Sequence, residues 1–337
     1  RDRAYRWGVL RTGRLPCPVV SGGNLTLRGS GKTPTVEAVV RSLQEIGHEA
    51  GRLPAVVSRG YGRHTRGVPV VADRDGIRTD VRTAGDEPLL LAERLPGVPV
   101  VVGESRYEAA RVAVERCGAT AIVLDDGFQH RTLAKDLEIV VVQGRAPWGN
   151  ARVFPRGMLR EPLSALARAH AVVLTNPTGA ETIDAVSRTV RRFNPGAALV
   201  TARYQLQDVV DAQSGRRGPV ADLAGRRLMA FAGLGSPQGF ADTLDAAGVR
   251  RVGFAEFPDH HWFTPIDLEE LAREARAASA QGLVTTEKDW VRVRDLRRPA
   301  LPLWVLRMRL VIDAGLEAWQ RLLAGTLAPA ALGRPRS

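Results

Sequence analysis

Short, almost wholly apolar runs recur along the chain: Cys17 to Val20, Ala55-Val56-Val57, Val98 to Val102, Ala121 to Leu124, Glu138 to Val142 and Ala171 to Leu174. None is long enough for a helix and none alternates polar with apolar, so they predict strands buried on both faces, as in a parallel sheet. Between them, Glu87 to Arg94 and Arg106 to Arg116 carry helical spacing. The pattern predicts an α/β, doubly wound fold. A helix is expected over Ala180 to Phe193, and Leu199 to Val210 reads as extended. The turn-like Asp211 to Gly215 follows it, which predicts a hairpin linker and a boundary near residue 205. A second, smaller α/β unit follows, with strands at Leu228 to Ala232, Val252 to Phe257, Leu283 to Thr286 and Leu303 to Leu306. Its helices are expected at Gln238 to Ala247, Pro265 to Ala280 and Gly315 to Ala324. The two units are 1–205 and 206–337, and Ala328 to Ser337 reads as a frayed tail.

The 337 residues suit two domains, and 44% are apolar, as in a globular protein. The net charge of +12 calls for an anionic partner: nucleic acid, a membrane surface or a phosphorylated substrate. The arginines are scattered among acids and aromatics make up only 5%, so no stacking platform for nucleic acid is expected. Two cysteines without metal spacing suggest neither a disulfide scaffold nor a structural metal, and fit a reducing, cytoplasmic setting. No apolar run reaches the ~18 residues of a membrane span, and no signal-peptide pattern opens the chain. The sequence begins at Arg1, so a preceding N-terminal segment is expected to be missing.

The first candidate chemistry lies between the run at Cys17 to Val20 and the helical Thr35 to Val40. Gly29-Ser30-Gly31-Lys32-Thr33-Pro34 has the layout of a phosphate-binding loop. Glycines let backbone N–H groups converge on an anion at a helix N-terminus. Lys32 would reach the β- and γ-phosphates of a nucleotide, and the Thr33 hydroxyl would ligate Mg²⁺. The strict pattern wants glycine where this chain has Thr26. Composition adds weight, because only three of the 48 basic residues are lysine: Lys32, Lys135 and Lys288. A compact ammonium suits a phosphate cradle where a planar guanidinium does not.

Asp125 and Asp126 end an apolar strand, where ligands bind in open α/β sheets and where a Mg²⁺-organising acid is expected. Gly85-Asp86-Glu87-Pro88 reads as an ordinary helix cap, and equally as a general base or a metal ligand. Phe257-Pro258-Asp259-His260-His261 offers titratable imidazoles in a loop. Leu159-Arg160-Glu161-Pro162 reads as easily as a surface ion pair.

Read together, these segments resemble a known family. Gly23 to Thr26 running into Gly29 to Pro34, Ser58-Arg59-Gly60-Tyr61-Gly62-Arg63, Gly85 to Pro88, Asp125-Asp126-Gly127-Phe128-Gln129-His130, Leu159 to Leu163, Phe257 to His260 and Thr286-Glu287-Lys288-Asp289 resemble, in order, the tetraacyldisaccharide 4'-kinase family of lipid A biosynthesis. The resemblance implies an ATP-dependent kinase acting on the 4'-hydroxyl of a tetraacylated glucosamine disaccharide 1-phosphate, at the cytoplasmic face of a Gram-negative inner membrane. It also implies a phosphate-loop kinase domain and a C-terminal α/β domain joined by a β-hairpin linker. Thr26 agrees with the family pattern, whereas Arg28 stands where the family usually has glycine. Family members begin with an apolar helix, of which only Tyr5-Arg6-Trp7-Gly8 and basic neighbours remain here.

Carried onto this chain, the resemblance makes Asp86 the base that takes the sugar hydroxyl proton, with His260 orienting it; His260 is preferred to His261 because the family has histidine directly after Phe-Pro-Asp. Thr33, Glu87 and Asp125 or Asp126 would organise Mg²⁺. Arg160 and Arg106 are candidates for neutralising phosphate charge, and Tyr61 for lining the acceptor site. The partners expected are the lipid acceptor and an anionic membrane surface rather than nucleic acid. No oligomeric state is signalled.

Overall fold

The computed structural model describes residues 12–27, 31–47, 51–235, 237–297 and 300–328. Strand β1 (Val19–Asn24) leads to helix α1 (Lys32–Gly47), then β2 (Pro54–Ser58). A small excursion, β3 (Val70–Asp73) and β4 (Gly76–Ile77), precedes α2 (Val81–Ala84) and α3 (Asp86–Arg94). Next come β5 (Val100–Val102), α4 (Arg106–Cys117), β6 (Ala121–Asp125), β7 (Leu137–Gln143), β8 (Ala171–Thr175) and α5 (Ala180–Phe193). The remainder holds β9 (Ala198–Asp211), β10 (Arg217–Gly218), β11 (Arg227–Ala232), α6 (Pro237–Ala246), β12 (Arg250–Glu256) and α7 (Pro265–Ala277). It ends with β13 (Gly282–Thr286), α8 (Glu287–Val293), β14 (Leu303–Ala314) and α9 (Leu316–Leu327).

These strands form one sheet in the order β12-β11-β13-β14-β9-β8-β7-β1-β6-β2-β5-β3-β4, with β10 attached to β9. The run from β8 to β5 is parallel, as are the pairs among β11, β12, β13 and β14. Every residue of β1, β2, β6 and β8 is buried, which a parallel sheet achieves only with helices on both faces. Alternate residues of these strands point to the two sides. Val20, Val56 and Val123 meet α1, whereas Ala55, Val57 and Ile122 meet Ala109, Ala110 and Ala113 of α4.

The long strands β9 and β14 have a different pattern and a different job. Arg203, Gln205 and Gln207 alternate with less exposed residues, so β9 shows one face to water. It pairs antiparallel with β14 from Trp304↔Asp211 to Ala314↔Thr201, joining the two parallel arrays. The hairpin expected at Asp211 to Gly215 is present in small form, with Arg217 opposite Val210, but the long partner of β9 comes from far downstream. Residue 205 lies inside this strand.

Strand β14 runs eight residues beyond the expected Leu306, to Ala314, and α7 stops at Ala277 rather than Ala280. The hairpin β3–β4 and the seven-residue α8 have no counterpart in the periodicity, being too short to show a period. Helix α9 returns to the first array and packs Trp319, Leu323 and Leu327 with Val36, Val39 and Leu43 of α1. The Trp319 indole also donates to the Ser42 hydroxyl at 3.0 Å. Pro329 to Ser337, nearly all of the expected tail, and Tyr5 to Gly8 lie outside the described residues.

Candidate active site

Strands β1, β2 and β6 end at the same edge of the sheet, and a cleft of about 750 Å³ opens there between the two arrays. Gly31 to Pro34 line one wall; Gly29 and Ser30, with Arg28, fall outside the described residues. Gly31 has φ of +83°, and its carbonyl accepts the Thr35 N–H (3.2 Å) and hydroxyl (2.9 Å) of the first turn of α1. A Cβ on Gly31 would lie 1.3 Å from the Tyr204 hydroxyl of β9, so both the backbone and the space demand glycine. The Lys32 ammonium lies 3.1 Å from Asp126 Oδ1.

Asp125 and Asp126 share a strand end but not an environment. Asp126, in the left-handed region at φ 53°, is held by Lys32 and by Arg160, whose Nη1 donates to its two oxygens at 2.8 and 2.9 Å. Burial works against ionisation of Asp126, yet those two cations keep its carboxyl below the ordinary value. Asp125 is 2% exposed, and the Ser58 hydroxyl donates to its Oδ2 at 3.0 Å. Its Oδ1 has no hydrogen-bond partner among the described residues. Burial, followed by the facing charge of Glu87, pushes Asp125 up to about 7. Arg106, expected as a substrate contact, is buried and does not line the cleft. It donates to the Gly103 carbonyl at 3.1 Å, and its charge faces Asp125 and Asp126 from behind.

Asp86 opens α3 after Gly85, where a φ of +88° and a Tyr61 carbonyl that would lie 2.8 Å from an added Cβ exclude a side chain. Asp86 Oδ2 lies 2.9 Å from His260 Nδ1, joining residues 174 positions apart. His260, like Asp126, has a left-handed backbone (φ 61°), a conformation that costs a non-glycine residue about 1–2 kcal/mol. Burial opposes the charge on Asp86, but His260, Lys288 and Arg292 outweigh it and hold the carboxyl below its ordinary value. The exposed Tyr61 ring lies 5.0 Å from the His260 ring on the cleft wall. His261 is turned away: it lies 3.2 Å from Asp267, which closes the capping box of α7 with Thr264, and it stacks on Phe257.

Several residues that the reading of the chain left without a role complete the site. Thr286 caps α8, and that helix aims the Lys288 ammonium at Asp259 (3.0 Å) and Glu87 (3.2 Å). Lys288 is half of a signal already in the sequence, since lysine is so rare in this chain. Asp289 and Arg292 brace the opposite loop from beneath. Asp289 accepts the Gly233 N–H at 3.1 Å and pairs with Arg292 at 2.6 Å, while Arg292 donates to the His261 carbonyl at 2.9 Å. Arg94 pairs with Glu37 (2.7 Å) and with Glu287, tying α1 to α8 beside the cleft.

A sheet-end cleft with a lysine at a helix start, a carboxylate pair and an Asp–His contact between its two walls defines a phosphate-loop phosphotransferase. Among known proteins, the model of the tetraacyldisaccharide-1-P 4'-kinase family matches residues 1–326. The tetraacyldisaccharide 4'-kinase of Anaeromyxobacter sp. (strain K) is 42% identical over 99% of this chain and 88% of its own length. That of Syntrophus aciditrophicus (strain SB) is 40% identical over 90% and 82%. A crystal structure of LpxK from Aquifex aeolicus in complex with ATP superposes with a TM-score of 0.75 at 29% identity, covering 97% of this chain and 94% of that one. The chain belongs to the tetraacyldisaccharide 4'-kinase family, and is an ATP-dependent phosphotransferase with an alcohol acceptor, acting in lipid A biosynthesis.

Proposed function

We propose that this chain transfers the γ-phosphoryl group of ATP to the 4'-hydroxyl of a tetraacyldisaccharide 1-phosphate at the cytoplasmic face of a bacterial inner membrane. The observation that carries the reading is the Asp86–His260 contact, made across the same cleft that Lys32 enters. Asp86 takes the hydroxyl proton as the oxygen attacks; His260 orients the carboxylate through Nδ1 and shares the positive charge that the proton brings. Lys32 and the amides at the N-terminus of α1 bind the β/γ-phosphates, and the Lys32 charge passes from Asp126 to the phosphate oxygens. Arg160 keeps Asp126 in place during that exchange. Tyr61, exposed beside His260, lines the acceptor side. We assign 1–205 to the nucleotide and 206–337 to the closing wall that supplies His260 and Lys288.

The donors suit Mg²⁺. Asp125 Oδ1 is buried and unpartnered among the described residues, and Thr33 and Glu87 line the same cleft. No three His, Cys, Asp or Glu side chains among the described residues cluster as a metal cage, which fits an ion that keeps water and phosphate oxygens among its ligands. When bound, Mg²⁺ would neutralise charge on the β- and γ-oxygens. No helix among the described residues is long and apolar enough to cross a membrane, so we place the chain on the bilayer surface, drawn by its +12 charge.

The test is mass spectrometry of the disaccharide 1-phosphate lipid incubated with the protein and Mg-ATP. A product heavier by one phosphoryl group, with the 1-phosphate retained, is expected. Unchanged lipid alongside ATP hydrolysis would reject the acceptor assignment.

A further inference from the structure

The segment before Arg160 has a feature that phosphoryl transfer does not use. Arg152, Val153, Phe154, Pro155 and Arg156 are all exposed, Phe154 at 65%, although phenylalanine ordinarily seeks burial. The segment is firmly built. Phe154 N–H donates to the Leu159 carbonyl at 2.8 Å, Leu159 N–H to the Arg152 carbonyl at 3.0 Å, Arg156 N–H to the Val153 carbonyl at 3.1 Å, and the Asn150 side chain to the Arg156 carbonyl at 2.9 Å. A hydrogen-bonded knuckle therefore holds an aromatic ring in water between two arginines, neither of which has a carboxylate partner among the described residues.

Its position gives this arrangement a use. Leu159 pairs with Thr26, Arg160 N–H donates to the Leu25 carbonyl, and Leu27, itself 44% exposed, donates its N–H to the Met158 carbonyl. Leu27 also lines the cleft, so the knuckle stands on the rim of the phosphate-binding wall. An acceptor whose reacting hydroxyl sits in the cleft must keep its acyl chains in the bilayer, and the rim beside it has to meet the lipid surface. A ring flanked by cations without a carboxylate partner among the described residues suits that boundary, with the ring in the acyl margin and the guanidinium groups at the anionic headgroups.

We propose that residues 152–156 dock this chain on an anionic lipid surface, with Phe154 inserted and Arg152 and Arg156 on the phosphates. The proposal rests on the membrane reading above. Co-sedimentation with phosphatidylglycerol vesicles and with phosphatidylcholine vesicles tests it, together with turnover on vesicle-embedded and on detergent-dispersed acceptor. Arg152→Gln/Arg156→Gln should weaken binding to anionic vesicles about thirtyfold, from about fivefold per cation, and Phe154→Glu at least about tenfold. Turnover on detergent-dispersed acceptor should stay within about twofold of wild type for both variants. If wild type binds anionic vesicles and the variants bind equally well, the knuckle is not the docking element although the membrane reading stands. Absence of wild-type binding to any vesicle would overturn both. Loss by Phe154→Glu of a dimer seen in sedimentation velocity, with vesicle binding unchanged, would assign the face to a second copy and also reject the proposal.

Discussion

His260 Nδ1 lies 2.9 Å from Asp86 Oδ2, and the two residues reach that contact from opposite walls of the cleft. Glycine at 85 lets α3 start close under Tyr61, and a left-handed backbone at His260 turns its ring inward. Arg292 holds the His261 carbonyl from below. The contact is thus held in place from both sides before any substrate arrives.

Loss of this pair should affect chemistry more than nucleotide binding. Asp86→Ala is expected to lower kcat by ~10²–10⁴-fold with little change in the Kd of ATP, and His260→Ala to cost less. Because the two act as a unit, the double variant should lose less than the product of the single losses. Stopped-flow and calorimetric measurements on the three variants check this; multiplicative defects would show independent roles.

Lys32→Ala should reduce turnover by several orders of magnitude while leaving the melting curve nearly in place, since Lys32 is an ion for phosphate rather than part of the core. Removing the ammonium leaves Asp126 still held by Arg160. Lys32→Arg should also be poor, because a planar guanidinium fork does not suit a site that holds a compact ammonium against Asp126. Near-normal activity of the arginine variant would overturn the argument from lysine chemistry.

Asp125 is expected to be kept at a cost to stability. Its folded value, about 7, lies above the ordinary 3.8, so the folded state binds the proton more tightly than the unfolded state does. Stability from this group is therefore present below pH 4 and lost as pH rises towards 7. Asp125→Asn should be more stable than wild type by on the order of 4 kcal/mol at pH 8 in the absence of Mg²⁺ and nearly equal to it at pH 4 and below. The same variant should have almost no kinase activity. Urea titrations at the two pH values measure the difference; an equal gap at both would mean that the charge of Asp125 is not what is costly.

Asp86 behaves in the opposite sense. Its folded carboxyl lies below 3.8, so the stability that it contributes is present above that value and lost as pH falls through the folded one. Asp86→Asn should accordingly lose stability against wild type at pH 6, and the gap should narrow as the pH falls below the ordinary carboxylate range, followed by urea unfolding. A gap that persists at low pH would point to lost packing instead of lost charge.

Lys288→Met should unfasten the cleft without emptying it. The ammonium joins Glu87 on one wall to Asp259, the neighbour of His260, on the other. A drop in kcat of about 10–100-fold with KM for ATP nearly unchanged is expected, the pattern for a residue that positions reacting groups. A rise in KM alone would make Lys288 a nucleotide contact.

The parallel core was legible because its strands are buried on both faces, which leaves continuous apolar runs such as Ala121 to Leu124 that no local turn interrupts. The phosphate loop was legible for a related reason: glycine, lysine and threonine must be adjacent in sequence for their backbone and side chains to meet one anion. Local chemistry also set the caps at Gly85 and Thr286. Other relations depend on surfaces that meet only after the chain has folded. These are the pairing of β9 with β14, the return of Trp319 to α1, the burial of Arg106 near Asp125, and the turning of His261 towards Asp267. Resemblance to a family could name Asp86 and His260 together, but no periodicity or spacing in the chain brings them within 2.9 Å. Tertiary structure decides such contacts because their energies come from packing and desolvation between elements distant in sequence, which no local pattern of residues encodes.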